Sequence, residues 1–188
     1  MIIEEKTMYI WVAADVDGQL GTIREKIEKI CSNGNMANSA LTLPLHISLK
    51  ISCEIEDALF LGAVDKISEY FSTLSPFTIR TGKAEINGNI LWIKIADSDE
   101  LCRIHEDLDN LFESGYGIAR HPFDREFIFH TTLFYGEGAG SGIVGEAIKN
   151  ERLPEVLLID KFIIGCSESG KAGEYRVIKE ISVCEEKQ

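Results

Sequence analysis

Two stretches of this chain repeat one four-residue pattern, and that repeat constrains the fold more than any other feature. His46-Ile47-Ser48-Leu49 reads His-x-hydroxyl-Leu, and His130-Thr131-Thr132-Leu133 reads the same way 84 residues later (130 minus 46). Both lie in runs with strand character. Side chains alternate faces along a strand, so residues i and i+2 project together. His46 therefore shares a face with Ser48, and His130 with Thr132, while the residues between them turn the other way.

The surrounding elements repeat as well. Residues 8–14 read as a strand, and 20–31 as a helix with Ile23, Ile27 and Ile30 at helical spacing. Asn33, Gly34 and Asn38 mark a polar connection before a strand at about 45–53. A helix at about 56–73 should stop near Ser75-Pro76, because the residue before proline disfavours the α region. Residues 77–86 and 90–96 form a hairpin around Asn87-Gly88. The order then recurs: a helix at 98–114 with Ser98 as N-cap and Gly115 as stop, a strand at 127–135, a short helix near 142–150, and strands at about 156–166 and 174–184. Helix-strand-helix-strand-strand thus occurs twice, with a His strand at the same place in each half. An internal duplication is the economical account. The whole chain, 1–188, is read as one domain of two related lobes, the second copy spanning roughly 98–184, with one His strand from each lobe facing a common groove.

Composition limits the partners. A chain of 188 residues with 45% hydrophobic content can build a substantial core. Its formal charge of −12, with no Lys/Arg cluster, does not suit a long nucleic acid, which needs a basic track to release counterions. A small phosphorylated ligand or an RNA end fits better. Met1-Ile2-Ile3-Glu4-Glu5-Lys6 carries charges where a signal peptide needs an apolar core, and no run is long enough to span a bilayer. The five cysteines, Cys31, Cys53, Cys102, Cys166 and Cys184, are odd in number and scattered, as in a cytoplasmic protein with reduced thiols. The expectation is a cytoplasmic monomer without membrane attachment.

A strand histidine alone is often only a satisfied structural residue. Two copies in matching positions of a repeat, using two of only four histidines, point further. A buried structural role would need polar partners for two imidazoles and two hydroxyls; a wet cleft meets that need more simply. Metal binding is the less favoured use, since zinc takes three or four Cys, His or carboxylate ligands and hydroxyls serve it poorly. Phosphoester chemistry explains the pairing directly. One imidazole can act as base while the other, protonated, acts as acid, and Ser48 and Thr132 can hold the non-bridging phosphate oxygens. Neither hydroxyl lies in a nucleophile-elbow sequence.

The doubled His-x-Ser/Thr-Leu motif in a duplicated α/β chain of this length resembles the 2H phosphoesterases, and in particular their 2′-5′ RNA ligase-like (LigT-like) branch, from about residue 8 to 184. The resemblance implies an α+β, bilobal fold with two antiparallel sheets flanked by helices around a central cleft. It implies a cofactor-free and metal-independent opening of 2′,3′-cyclic phosphates of small nucleotides or RNA ends, and in some members 2′-5′ ligation. The matching catalytic positions are His46 and His130, with Ser48 and Thr132 as phosphate-binding groups. The alternatives are a 2′-5′ RNA ligase, a catalytically idle nucleotide-binding member, and an unrelated α/β protein with structural histidines.

The chain departs from the family pattern in one respect. Many LigT-like members carry an arginine shortly after the second motif, where this chain has Phe134-Tyr135-Gly136. Lys50, on the alternation of His46 and Ser48, could substitute, or could be a solvated strand lysine. Phe134, on the alternation of His130 and Thr132, could stack on a base or lie in the core. Tyr9 and Trp11 are candidates to line the cleft from the first strand. His121-Pro122-Phe123-Asp124-Arg125 reads as a surface loop from which His121 or Arg125 could reach a phosphate.

Overall fold

Strand alternation and helical spacing both find their places around one core. The structure, a computed structural model, describes residues 7–184, apart from the side chain of Arg125. The chain runs β1 (Thr7–Asp15), α1 (Asp17–Gly34), β2 (His46–Glu56), α2 (Asp57–Ser72), β3 (Phe77–Asn87), β4 (Ile90–Ile95), α3 (Asp99–Tyr116), β5 (His130–Tyr135), α4 (Gly140–Ile148), β6 (Val156–Ile159), β7 (Lys161–Ser167) and β8 (Arg176–Ser182). All strand pairs are antiparallel. The strand order is β6-β3-β4-β5-β2-β1-β7-β8, which is two four-stranded halves meeting at the two His strands. The expected pair of sheets is present as these halves, joined by the single pair Ile47–Thr131.

The helices cover one face of the sheet. Leu20, Ile23, Ile27 and Cys31 of α1 and Leu101, Ile104, Leu108 and Phe112 of α3 are buried at spacings of three and four, the apolar stripe of an amphipathic helix. They join one core with the inward residues of both sheet halves, among them Ile10, Val12, Ile47, Leu91, Ile93 and Phe162. Ser98 caps α3, its Oγ accepting from the Leu101 amide at 3.3 Å. The helix does not stop at Gly115. It runs to Gly117, whose φ of 67° supplies the left-handed C-cap; Gly115, where a Cβ would meet only open space, is merely tolerated in the last turn.

Two further features differ from the sequence reading. The strand expected at 156–166 breaks at Asp160 into β6, which pairs with β3, and β7, which pairs with β1. One intervening residue reaches at most about 7 Å, so the sheet must curl until its β6 edge approaches β7. The lobes are also not the two halves of the chain. The β3–β4 hairpin that follows the first His strand docks beside the second, and β7–β8, which follow the second, dock on the side of the first. Among the described residues no helix is long and apolar enough to cross a membrane.

Candidate active site

The site forms where the two His strands touch. Ile47 lies opposite Thr131, and both are fully buried on the core face. Antiparallel register therefore sets His46 across from Thr132 and Ser48 across from His130 on the other face. The two imidazoles occupy the diagonal, where neighbours stand about 7–8 Å apart, a gap that a phosphate can bridge. The four motif residues thus come together on one face, in the arrangement the sequence predicts.

Both histidines are held alike. His46 Nδ1 donates to the Pro44 carbonyl at 2.7 Å, and His130 Nδ1 donates to the Ile128 carbonyl at 2.7 Å. Each carbonyl belongs to the residue two positions upstream and fixes the tautomer, leaving Nε2 with a lone pair for proton transfer. The chain's two tryptophans back them. Trp11 of β1 meets His46 edge-on at a centroid distance of 4.4 Å, and Trp92 of β4 lies 4.5 Å from His130. Burial pushes the His46 pKa down to about 4, helped by His130 and opposed by the Pro44 carbonyl and by Asp15 and Asp17. Burial also lowers the pKa of His130, against the Ile128 carbonyl. In the free protein both rings are thus neutral near pH 7. Trp11 Nε1 donates to Ser48 Oγ at 3.3 Å, which leaves the serine O–H free to donate elsewhere.

A cavity of about 230 Å³ opens beside His46, lined by Trp11, Leu43, Thr132, Tyr135 and Tyr175 among others. Among the described residues its lining includes no Lys, Arg, Asp or Glu, and its one imidazole, that of His46, is neutral. Gly165 lies across the β1–β7 ladder from Trp11, and a Cβ there would collide with the indole. Tyr175 is fixed through its hydroxyl, 2.6 Å from Ser52 Oγ.

Lys50 and Phe134 are not in the cleft, and one physical event removes both. In each motif strand the leucine that ends the motif forms a bulge. Ser48 pairs with Ala13 but Lys50 with Val12, and Thr132 pairs with Trp92 but Phe134 with Leu91. The extra residue, Leu49 or Leu133, inverts the alternation that follows it. Lys50 and Phe134 therefore join Val12 and Leu91 on the core face, 1% and 0% exposed. Phe134 fills the space over Gly136 and Gly140. Lys50 Nζ sits 2.8 Å from Asp109 Oδ1 on α3 and 2.7 Å from Asp124 Oδ2. Burial alone would lower its pKa, but the hydrogen bonds to the two carboxylates outweigh burial and raise it. His105 joins the cluster, its Nδ1 donating to the Leu49 carbonyl at 2.8 Å. His105, Asp109 and Asp124 could together offer metal ligands, yet the Lys50 ammonium already lies between the carboxylates.

Trp11 lines the cavity as anticipated. Tyr9 shares its face but packs beneath Gly170, outside the cavity lining. His121 caps the short 3₁₀ turn Pro122–Glu126, its Nδ1 accepting from the Phe123 amide at 3.2 Å. The side chain of Arg125 lies outside the described ones. Trp92 and Tyr175 escaped the sequence reading, and Asn38 was read only as part of a polar connection. Only Trp92 carried a signal, the alternation of Ile90-Leu91-Trp92-Ile93-Lys94-Ile95, which puts Trp92 opposite the core residues.

A curled antiparallel sheet with helices behind it, carrying the two His strands at its centre, is a LigT-like fold. Solved structures agree. Escherichia coli LigT bound to NADP+ matches 96% of this chain and 99% of its own, with a TM-score of 0.57 at 16% identity. A protein of Thermus thermophilus matches 93% of this chain and 97% of its own, with a TM-score of 0.59 at 16% identity. In sequence the chain is similar to a Bacillus cereus (strain AH820) protein named "Putative phosphoesterase", 26% identical over 127 residues, which are 64% of this chain and 69% of that one. A Bacillus anthracis (strain A0248) protein of the same name is 27% identical over the same shares. No protein-family model matches the chain. The fold that the two motifs imply is thus borne out, and the sequence similarity is to proteins named as phosphoesterases.

Proposed function

We propose that this protein is a metal-independent phosphodiesterase that opens 2′,3′-cyclic phosphates of small nucleotides or RNA ends. The observation that carries the reading is the cross-strand square of His46, Thr132, Ser48 and His130, with both Nδ1 atoms tied to carbonyls. Similarity to proteins named as phosphoesterases supports phosphoester chemistry. Solved complexes of E. coli LigT with 3′-AMP and with NADP+ support a nucleotide-sized substrate.

The geometry suits a single in-line displacement. One neutral imidazole accepts, at Nε2, a proton from the water that attacks phosphorus. The other, protonated at Nε2, gives its proton to the ribose oxygen as the P–O bond breaks. The product is a nucleoside monophosphate, and the two histidines have exchanged roles. Ser48 and Thr132 donate to the non-bridging oxygens, whose charge persists through the transition state. The anionic phosphate raises the imidazolium pKa and so charges one ring only when substrate is present. The nucleoside extends into the uncharged cavity between Trp11, Leu43 and Tyr175.

A panel of 2′,3′-cyclic mononucleotides, cyclic-phosphate RNA ends and 2′-5′ dinucleotides, assayed with and without EDTA, tests this. Cyclic phosphates should be opened at the same rate in both. Loss of turnover in EDTA, restored by zinc or manganese, would move the reaction onto a metal. Turnover confined to the 2′-5′ dinucleotides would favour the ligase chemistry.

A further inference from the structure

The motif strands bring no basic side chain to the phosphate, and the bulge at Leu49 takes Lys50 out of the cleft. The neighbouring strand supplies one. In the β4–β5 ladder Trp92 pairs with Thr132, Ile93 with Thr131 and Lys94 with His130. Residues directly opposite in a ladder share a face, so Trp92 and Lys94 stand on the face of Thr132 and His130. Burial agrees: Leu91, Ile93 and Ile95 are in the core, while Lys94 is exposed. Among the described residues Lys94 forms no ion pair.

A second observation concerns Trp92. Its Nε1 is shielded from solvent and has no acceptor among the described residues, whereas Trp11 Nε1 has Ser48. A buried donor without a partner is costly and uncommon in a native structure, and an oxygen of a bound ligand would satisfy it. The two ends of the site also differ. At the first motif strand the residue opposite His46 is Asp15, already bound by Lys161 at 3.0 Å. At the second strand the residue opposite His130 is a cation with no partner among the described residues.

We propose that Lys94 is the phosphate-binding cation of this site, holding a non-bridging phosphate oxygen at the His130 end while the nucleoside occupies the cavity at the His46 end. The inference rests on the phosphodiesterase reading for the identity of the substrate, but not for the binding of phosphate itself.

Calorimetric titration with inorganic phosphate decides it. Lys94→Met should weaken phosphate binding about 10–100-fold, the loss of one charge-assisted hydrogen bond. Lys94→Arg should stay within about threefold of the wild type, because the guanidinium keeps the charge and the donors. Lys66→Met on α2 removes the same charge away from the site and should change nothing. With a 2′,3′-cyclic mononucleotide, the Lys94→Met loss should fall mainly on KM. Phosphate affinity unchanged in Lys94→Met overturns the proposal, and turnover by that variant then leaves the catalytic reading standing. Lys94-dependent phosphate binding in a protein that opens no cyclic phosphate upholds the proposal and overturns the catalytic reading. A wild type that binds no phosphate overturns it outright.

Discussion

At the scale of single residues, the two imidazoles are held neutral in the free protein, and on the proposed reading a phosphate bound between them charges one. His46 shows this most clearly, with its pKa pushed down to about 4 by burial. The unfolded chain has an ordinary imidazole, at about 6.5. Between these values the unfolded state holds the proton and the folded state does not, so stability falls as pH drops through that window. Replacing His46 by glutamine should remove this dependence. The variant should gain on the wild type by about 2–3 kcal/mol between pH 6.5 and pH 4, measured by denaturant unfolding. In NMR titrations the His46 ring should titrate near 4 when free and move upward when phosphate is bound. Lys50 is the opposite kind of residue, a charge buried to bind β2 to α3 and to the turn at Asp124. Lys50→Met would strand two buried carboxylates. A loss of about 3–5 kcal/mol is expected in thermal or denaturant unfolding, and a loss below about 1 kcal/mol would contradict the ion-pair account.

At the scale of elements, the site depends on strands that meet and then part. β2 and β5 pair only at Ile47–Thr131, and the Asn38 side chain takes over along the rest of β5. Its Nδ2 donates to the Leu133 carbonyl at 3.0 Å, and its Oδ1 accepts from the Tyr135 amide at 2.9 Å. A side-chain amide thus stands in for a missing strand, next to Ser39, Ala40 and Tyr135 of the cavity wall. Asn38→Ala should cost about 1–3 kcal/mol of stability and raise KM more than it lowers kcat, as the cavity wall loosens. Much of this scale was legible in the sequence. The motif strands, the Asn87-Gly88 hairpin and the Ser98 cap follow from local pattern, because the turn and cap chemistry of those residues is strong. The bulges were not. Leu49 and Leu133 look like ordinary strand leucines, and only pairing with Val12 and Leu91 shows that alternation inverts after them. For that one reason Lys50, read as cleft-facing or solvated, lies in the core, and of the two readings of Phe134 the core one holds; Lys94 passed unnoticed because its partner His130 lies 36 residues away (130 minus 94).

At the scale of the molecule, the repeat that the sequence displays is interleaved in space. β5 stands directly beside the β3–β4 hairpin of the first half, and β7–β8 of the second half lie on the β2 side beyond β1, which local periodicity cannot reveal. Interleaving makes the two halves of the sheet mutually dependent and sets both histidines at its centre. The body around them carries a formal charge of −12, so long RNA gains little from electrostatic attraction. A 2′,3′-cyclic mononucleotide and a ~20-nucleotide RNA with the same terminus should give similar kcat/KM, with a shallow salt dependence. An advantage of orders of magnitude for the RNA, collapsing with salt, would reveal a basic groove. The central claim is that His46 and His130 act as one proton-transfer unit on a cyclic phosphate. The most direct measurement is kcat for a 2′,3′-cyclic mononucleotide in wild type, His46→Ala, His130→Ala and the double variant. Each single variant should fall by about 10²–10⁴-fold, and the double variant should fall little further, because a unit fails once. A folded His46→Ala or His130→Ala protein with wild-type kcat would contradict the account.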